Sequence, residues 1–153
     1  MSTDVSDAMQ DLIRLRQLHE IVSLDYRRGL RAVANAGVSQ REIAQRLRVT
    51  QPTISAVLRK AQDLPQVAEG FSGAGPAEIC QRYAAGLISR DQLIDELTRW
   101  PYTPVKDDDP YDWLVVAPPG SWEEVTDALY EGWIDDDIYD EVIQRSEEQH
   151  KDH

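Results

Sequence analysis

Val38-Ser-Gln-Arg-Glu-Ile-Ala-Gln-Arg-Leu-Arg-Val-Thr-Gln-Pro-Thr-Ile-Ser-Ala-Val-Leu-Arg-Lys-Ala61 is the stretch that decides how the first part of this chain folds. Ser39-x-x-Glu42 is a capping box, in which a serine hydroxyl takes a first-turn N–H, so a short helix is expected from Gln40. Ile43, Ala44 and Leu47 give that helix one apolar face at helical spacing. Thr50 is placed to cap a second helix, and Pro52 fits there because first-turn N–H groups have no intrahelical partner. The second helix is expected to bury Ile54, Val57 and Leu58. Two short helices joined by a three-residue turn, crossing at small Ala44, make a helix-turn-helix.

Working upstream, Leu12, Leu15, Leu18 and Val22 recur at helical spacing and predict an amphipathic helix over 8–22. A second helical stretch, 24–36, carries Tyr26, Leu30 and Val33 on one face; the pattern leaves open whether the two are continuous. Gly37 is suited to end the helix in a left-handed conformation.

The 38–60 segment resembles the helix-turn-helix of bacterial and phage repressors of the Cro/CI-like (Xre-like) type. The resemblance rests on Gln40, Ile43-Ala44, Leu47, Val49, Thr50, Ile54-Ser55 and Val57, and does not reach the second half. Those repressors usually carry Gly in the turn where this chain has Arg48, so a slightly different turn is expected, with Arg48 exposed near a phosphate. In this geometry the second helix enters the major groove of double-stranded DNA. Gln51 suits an adenine edge, Thr53 an edge or a thymine methyl, and Arg59 a guanine or a phosphate. Ser55 and Ala56 lie on the same outward face with the cap Thr50 beside them, while Gln40, Arg41, Arg48 and Lys60 suit phosphates. One such module makes a small interface, so a homodimer is expected, through the 8–22 helix or through the second half.

Charge divides the chain into two modules. Residues 1–62 hold ten Lys/Arg and six acids, a net of +4, whereas the remainder holds six and 22, a net of −16. All four Trp, the single Phe and five of six Tyr also lie beyond residue 62. The expected organisation is a DNA-binding domain at 1–62, a Pro/Gly-containing linker at 63–75, an acidic helical protein-interaction domain at 76–147 and a polar tail at 148–153. The fold class is therefore all-α: a helix-turn-helix bundle, then two helical hairpins.

The hairpins come from a 46-residue offset that pairs 79–99 with 125–145, including Gly86 with Gly132 and Ile88 with Ile134. Each copy reads as helix, glycine stop, inward Ile, N-cap and second helix, predicting helices at 76–85, 90–99, 122–131 and 136–146. Duplication and convergent hairpin chemistry both account for the match. Ser89-x-x-Gln92 and Ser121-x-x-Glu124 are further capping boxes. Between the hairpins, 100–120 carries five prolines yet also Tyr102, Tyr111, Trp113, Leu114 and Val115, so it is expected to lie ordered across them, with a short extended piece at 112–117.

Several function classes are not expected. No apolar stretch approaches the roughly 20 residues of a membrane span, and Met1 to Asp7 is acidic where a signal peptide is basic. One cysteine, Cys80, provides no disulfide framework or multi-cysteine zinc site, which fits a reduced cytoplasmic setting. The Asp107–Asp109 and Asp135–Asp137 runs lack the alternating ligands and central glycine of a calcium loop. No nucleophile–base constellation, phosphate loop or dinucleotide fingerprint is present, so no enzyme, cofactor or metal is expected. The expected function is a sequence-specific DNA-binding regulator, in the repressor sense, whose acidic half interacts with protein. An alternative is an antitoxin that represses its own operon and neutralises a basic toxin through that half; a third has the acidic half mimic DNA and compete for the reader.

Overall fold

The computed structural model describes residues 2–104 and 117–151, with side chains from Asp4 onward. The fold is all-α: seven helices and no strand among the described residues. The helices are α1 (Ser2–Asn35), α2 (Gln40–Leu47), α3 (Gln51–Ala61), α4 (Pro76–Ala84), α5 (Arg90–Arg99), α6 (Glu123–Tyr130) and α7 (Asp136–Lys151). Among the described residues none is long and apolar enough to cross a membrane.

The two upstream stretches form one 34-residue helix. Ser23-Leu-Asp25 contains no breaker, and Gly29 costs only about 1 kcal/mol inside a helix. Its termination follows the glycine rule: Gly37 takes φ +100°, its N–H reaches the Ala34 carbonyl, and the Val38 N–H reaches that of Val33. The apolar stripe does not face a core as a simple amphipathic reading implies. Leu12, Leu15, Val22, Tyr26 and Val33 are exposed, and the buried α1 side chains are Gln17, Ile21 and Leu30.

The chain divides into two compact units, 19–66 and 1–18 together with 67–153. In the first, Leu30 of α1, Ile43 and Ala44 of α2, and Ile54 and Leu58 of α3 form the core, with Ala34, Val38 and Val57 packed around them. Full burial of each large aliphatic side chain contributes about 2 kcal/mol. Leu47 is a correction to the expected inward face, being 45 % exposed. It is the last residue of α2 and lines a groove beside Tyr26 and Val33 of α1 instead of entering the core. Arg31 donates to the carbonyls of Ala61 (2.8 Å) and Leu64 (2.6 Å), and Arg28 donates twice to that of Pro65, tying the end of α3 and the first part of 63–75 to α1.

In the other unit, the α4–α5 and α6–α7 hairpins bury Ile79, Cys80, Leu93, Ile94 and Leu97 against Val125, Ala128, Ile134, Ile138 and Val142. The two hairpin turns share one geometry. Gly86 and Gly132 have φ +81° and +80°, and the N–H groups of Gly86 and Leu87 reach Tyr83 and Arg82 as those of Gly132 and Trp133 reach Leu129 and Ala128. Ser89 then caps α5 through the Gln92 N–H (3.2 Å), and Asp135 caps α7 through the Ile138 N–H (2.9 Å). α7 continues to Lys151, past the expected end at 146, because nothing in Ser146 to Lys151 breaks a helix.

The Ser121 capping box is not formed. Trp122 occupies the cap position, Ser121 Oγ is buried without a hydrogen-bond partner among the described residues, and the Glu124 carboxylate instead accepts from the N–H groups of Gly120 and Ala77. A tertiary tie to the start of α4 thus replaces a local cap. Buried Glu96 does similar work, accepting from the Ser72 N–H and hydroxyl and from Gln92 Nε2. Trp100, Tyr102 and Trp122 pack against the core, with the Tyr102 hydroxyl on the Leu97 carbonyl (2.5 Å). The expected extended piece at 112–117, the Asp107–Asp109 run and Tyr111, Trp113, Leu114 and Val115 lie outside the described residues, save Ala117.

Candidate nucleic-acid interface

The site is built from two caps and one turn. Ser39 is extended, and its Oγ accepts the Glu42 N–H (3.2 Å), starting α2 where the capping box placed it. At the other end Arg48 takes φ 59°, ψ 43°, the left-handed region, and is the one non-glycine residue with positive φ among the described residues. Its N–H reaches the Gln45 carbonyl (3.3 Å) and the Val49 N–H that of Ala44 (3.0 Å). This overturns the expectation of a differently built turn: Arg48 adopts the conformation a glycine would, at a cost of about 1–2 kcal/mol. Thr50 then returns to extended backbone, and its Oγ1 accepts the Thr53 N–H (3.3 Å).

With Ile54, Leu58 and Ala61 turned inward, α3 presents a continuous outward face. Thr53, Ala56, Arg59 and Lys60 are exposed on it, Gln51 is exposed at the first position of the helix, and Ser55 is half-buried. The Thr53 hydroxyl lies 2.7 Å from Thr50 Oγ1, so the two hydroxyls are hydrogen-bonded to each other. Thr50, Arg41 and Arg48 are exposed beside this face, and Gln40 is half-buried at the start of α2. The ten residues singled out in the sequence thus sit on two consecutive helices and their connecting turn, none of them in the core.

The local charge is one-sided. From Val38 to Ala61 there are five Lys/Arg and one acid, Glu42, which pairs with Arg46 across a turn of α2 (3.4 Å). Among the described residues Arg41, Arg48, Arg59 and Lys60 enter no ion pair. Not all cations of the N-terminal part are so placed: Arg28 and Arg31 hold backbone carbonyls. Exposed donors on a helix face, with guanidinium and ammonium groups around them, can take phosphates and read base edges.

Sequence reasoning missed one feature beside this face. Tyr26, Gly29 and Val33 of α1, with Val38 and Leu47, line an apolar groove of about 470 Å³ between α1 and α2. Its signal lay in the spacing of the α1 residues, which placed Tyr26 and Val33 on one face of a helix without saying what that face meets.

Burial, reinforced by Glu124, pushes the Cys80 thiol up to about 12, which suppresses the thiolate, and burial likewise pushes the Tyr102 phenol well above its usual range. No group of three or more His, Cys, Asp or Glu that could hold a metal occurs among the described residues. A scan against protein-family models and searches of curated proteins and of solved structures return no match to this chain.

Proposed function

We propose that this chain is a sequence-specific double-stranded DNA-binding transcription regulator, a repressor acting in the cytoplasm. α2 and α3 form a helix-turn-helix in which α3 lies in the major groove. The observation that carries the reading is the outward face of α3. Gln51, Ala56 and Arg59 are free of the core, and exposed Arg41, Arg48 and Lys60 surround them. Gln51 and Arg59 read bases; the flanking cations fix the protein on the backbone. Acting as a homodimer, it makes about four to eight phosphate contacts, so affinity falls steeply with salt.

The test uses the full chain in gel-shift and footprinting assays against a library of genomic fragments. A protected segment is expected, with sequence preference changed by Gln51→Ala or Arg59→Ala and overall affinity lowered by Arg41→Ala or Lys60→Ala. Absence of any protected fragment, or four variants behaving alike, overturns the assignment of α3. The antitoxin alternative is favoured by one observation, the −16 charge of residues 63–153. It requires that a small basic protein co-purify in fixed ratio from the native host, which a plain regulator does not.

A further inference from the structure

The α1 helix carries a seam that periodicity, exposure and charge together define. From Val5 to Val33 the spacing alternates strictly between three and four residues. Val5, Leu12, His19, Tyr26 and Val33 hold the first position of successive heptads, and Ala8, Leu15, Val22 and Gly29 the fourth. The seam spans four heptads, enough to mark a coiled coil. On a straight helix of 3.6 residues per turn such a seam drifts by about 20° per heptad, so a strict seven-residue repeat follows the path of a supercoiled partner rather than a flat core.

This face is bare. Val5, Leu12, Leu15, Val22, Tyr26 and Val33 are between 44 and 69 % exposed, while buried Gln17 and Ile21 lie on the opposite side of the helix and Leu30, one position off the seam, is taken by the core it forms with Ile43 and Ile54. Every described side chain from Asp4 to Arg16 is exposed, so thirteen consecutive helical residues have little cover. A helix of that length is marginal in water without a packing partner. Farther along, Leu47 and Val38 widen the apolar face into the groove beside Tyr26 and Gly29.

We propose that a second copy of this chain covers the seam, giving a homodimer joined by a parallel two-stranded coiled coil of α1 helices. Charge selects the occupant and its direction. In a parallel, in-register pair, Asp11 flanking the seam on one helix faces Arg16 flanking it on the other, twice by symmetry. Reversing one helix on the same seam sets Asp11 against Asp25 and Arg16 against Arg16, which is repulsive at both places. His19 is the single polar residue of the seam, and a polar residue at a first heptad position fixes register at some cost in stability. The pairing rests on α1 alone and not on the DNA-binding reading.

Sedimentation equilibrium of the full chain across a dilution series tests it in the absence of DNA. The expected mass is twice 17.4 kDa, and the double variant L15D/V22D is expected to fall to that of one chain. Both side chains are exposed, so the core of each unit is left intact, and an unchanged far-ultraviolet circular dichroism spectrum and urea-unfolding profile verify this. Direction is read by cross-linking. Leu15→Cys oxidises to a covalent dimer in the parallel pair, whereas buried Cys80 leaves the unsubstituted chain unlinked. A single-chain mass at every concentration, or a dimer untouched by L15D/V22D, overturns the proposal. A link that forms only when His19→Cys accompanies Leu15→Cys overturns the parallel arrangement.

Discussion

Replacing Arg48 with glycine is expected to stabilise the protein and, on the proposed DNA-binding reading, to weaken its affinity for DNA. Arg48 sits at φ 59°, ψ 43°, where a Cβ crowds the following carbonyl at about 1–2 kcal/mol. Glycine removes that penalty but loses about 0.5–1 kcal/mol through its greater freedom in the unfolded chain. The net gain is up to about 1.5 kcal/mol. At 2–4 °C per kcal/mol for a chain of this size, that raises Tm by up to about 6 °C. The capping bonds at the turn are backbone bonds and survive the change. Arg48→Ala is the control: it deletes the same charge but keeps the left-handed strain, so it gains no stability. If the proposed interface is right, both variants lose a phosphate contact, lowering the salt slope of binding by about 1 per chain. Urea and thermal unfolding by circular dichroism, with fluorescence anisotropy over a salt series, read the two effects separately. If glycine and alanine prove equally stable, the strain argument fails; if the salt slope is unmoved, Arg48 does not touch phosphate.

Four further outcomes follow from the same geometry. Thr50→Ala removes the α3 cap and is expected to cost about 1 kcal/mol in urea unfolding, whereas Thr50→Ser restores most of it. Glu124→Ala leaves the N–H groups of Gly120 and Ala77 without their carboxylate and is expected to cost about 2 kcal/mol, more than Ser121→Ala, which deletes a hydroxyl that makes no hydrogen bond among the described residues. Native Cys80 is expected to resist thiol reagents at neutral pH and to react on unfolding, as stopped-flow thiol titration reads directly. Because its folded-state value is raised, from 9.0 to about 12, the unfolded chain loses the proton first; stability is therefore intact below pH 9 and declines as pH rises from there towards 12.

The elements written in local chemistry were legible in the sequence. Ser39, Thr50 and Ser89 cap the helices they precede, and Gly37, Gly86 and Gly132 end the ones they follow, because a hydroxyl within one turn or a missing Cβ acts without reference to the rest of the chain. Ser121-x-x-Glu124 has the same local form and fails. Glu124 finds backbone donors on Gly120 and, 47 residues away, on Ala77, and a distant tie outcompetes the reach back to the cap. Arg48 is the opposite case, where a residue poorly suited to the turn accepts the strained conformation because the Ala44 and Gln45 carbonyls and the packing of Ile43 on Ile54 require it.

The outward face of α3 was legible for a related reason. Once Ile54 and Leu58 are assigned inward, helical geometry turns Ala56 and Arg59 outward, whereas Gln51, which shares the side of Ile54 and Leu58, is exposed because it is the first residue of α3. For α1 the same logic breaks down. An apolar stripe says that something apolar covers it, not whether that is the chain's own core or another helix, and Leu12, Leu15 and Val22 read alike in both cases. The distinction lies in the finer spacing: core-facing helices tolerate a stripe that wanders, whereas a seam kept to seven residues across four repeats answers to a partner of the same period. Leu30 marks the difference within one helix. It lies one position beyond Gly29 of the seam, and it is buried by Ile43 and Ile54 while Tyr26 and Val33 on either side stay bare. A core took the residue off the heptad and left those on it.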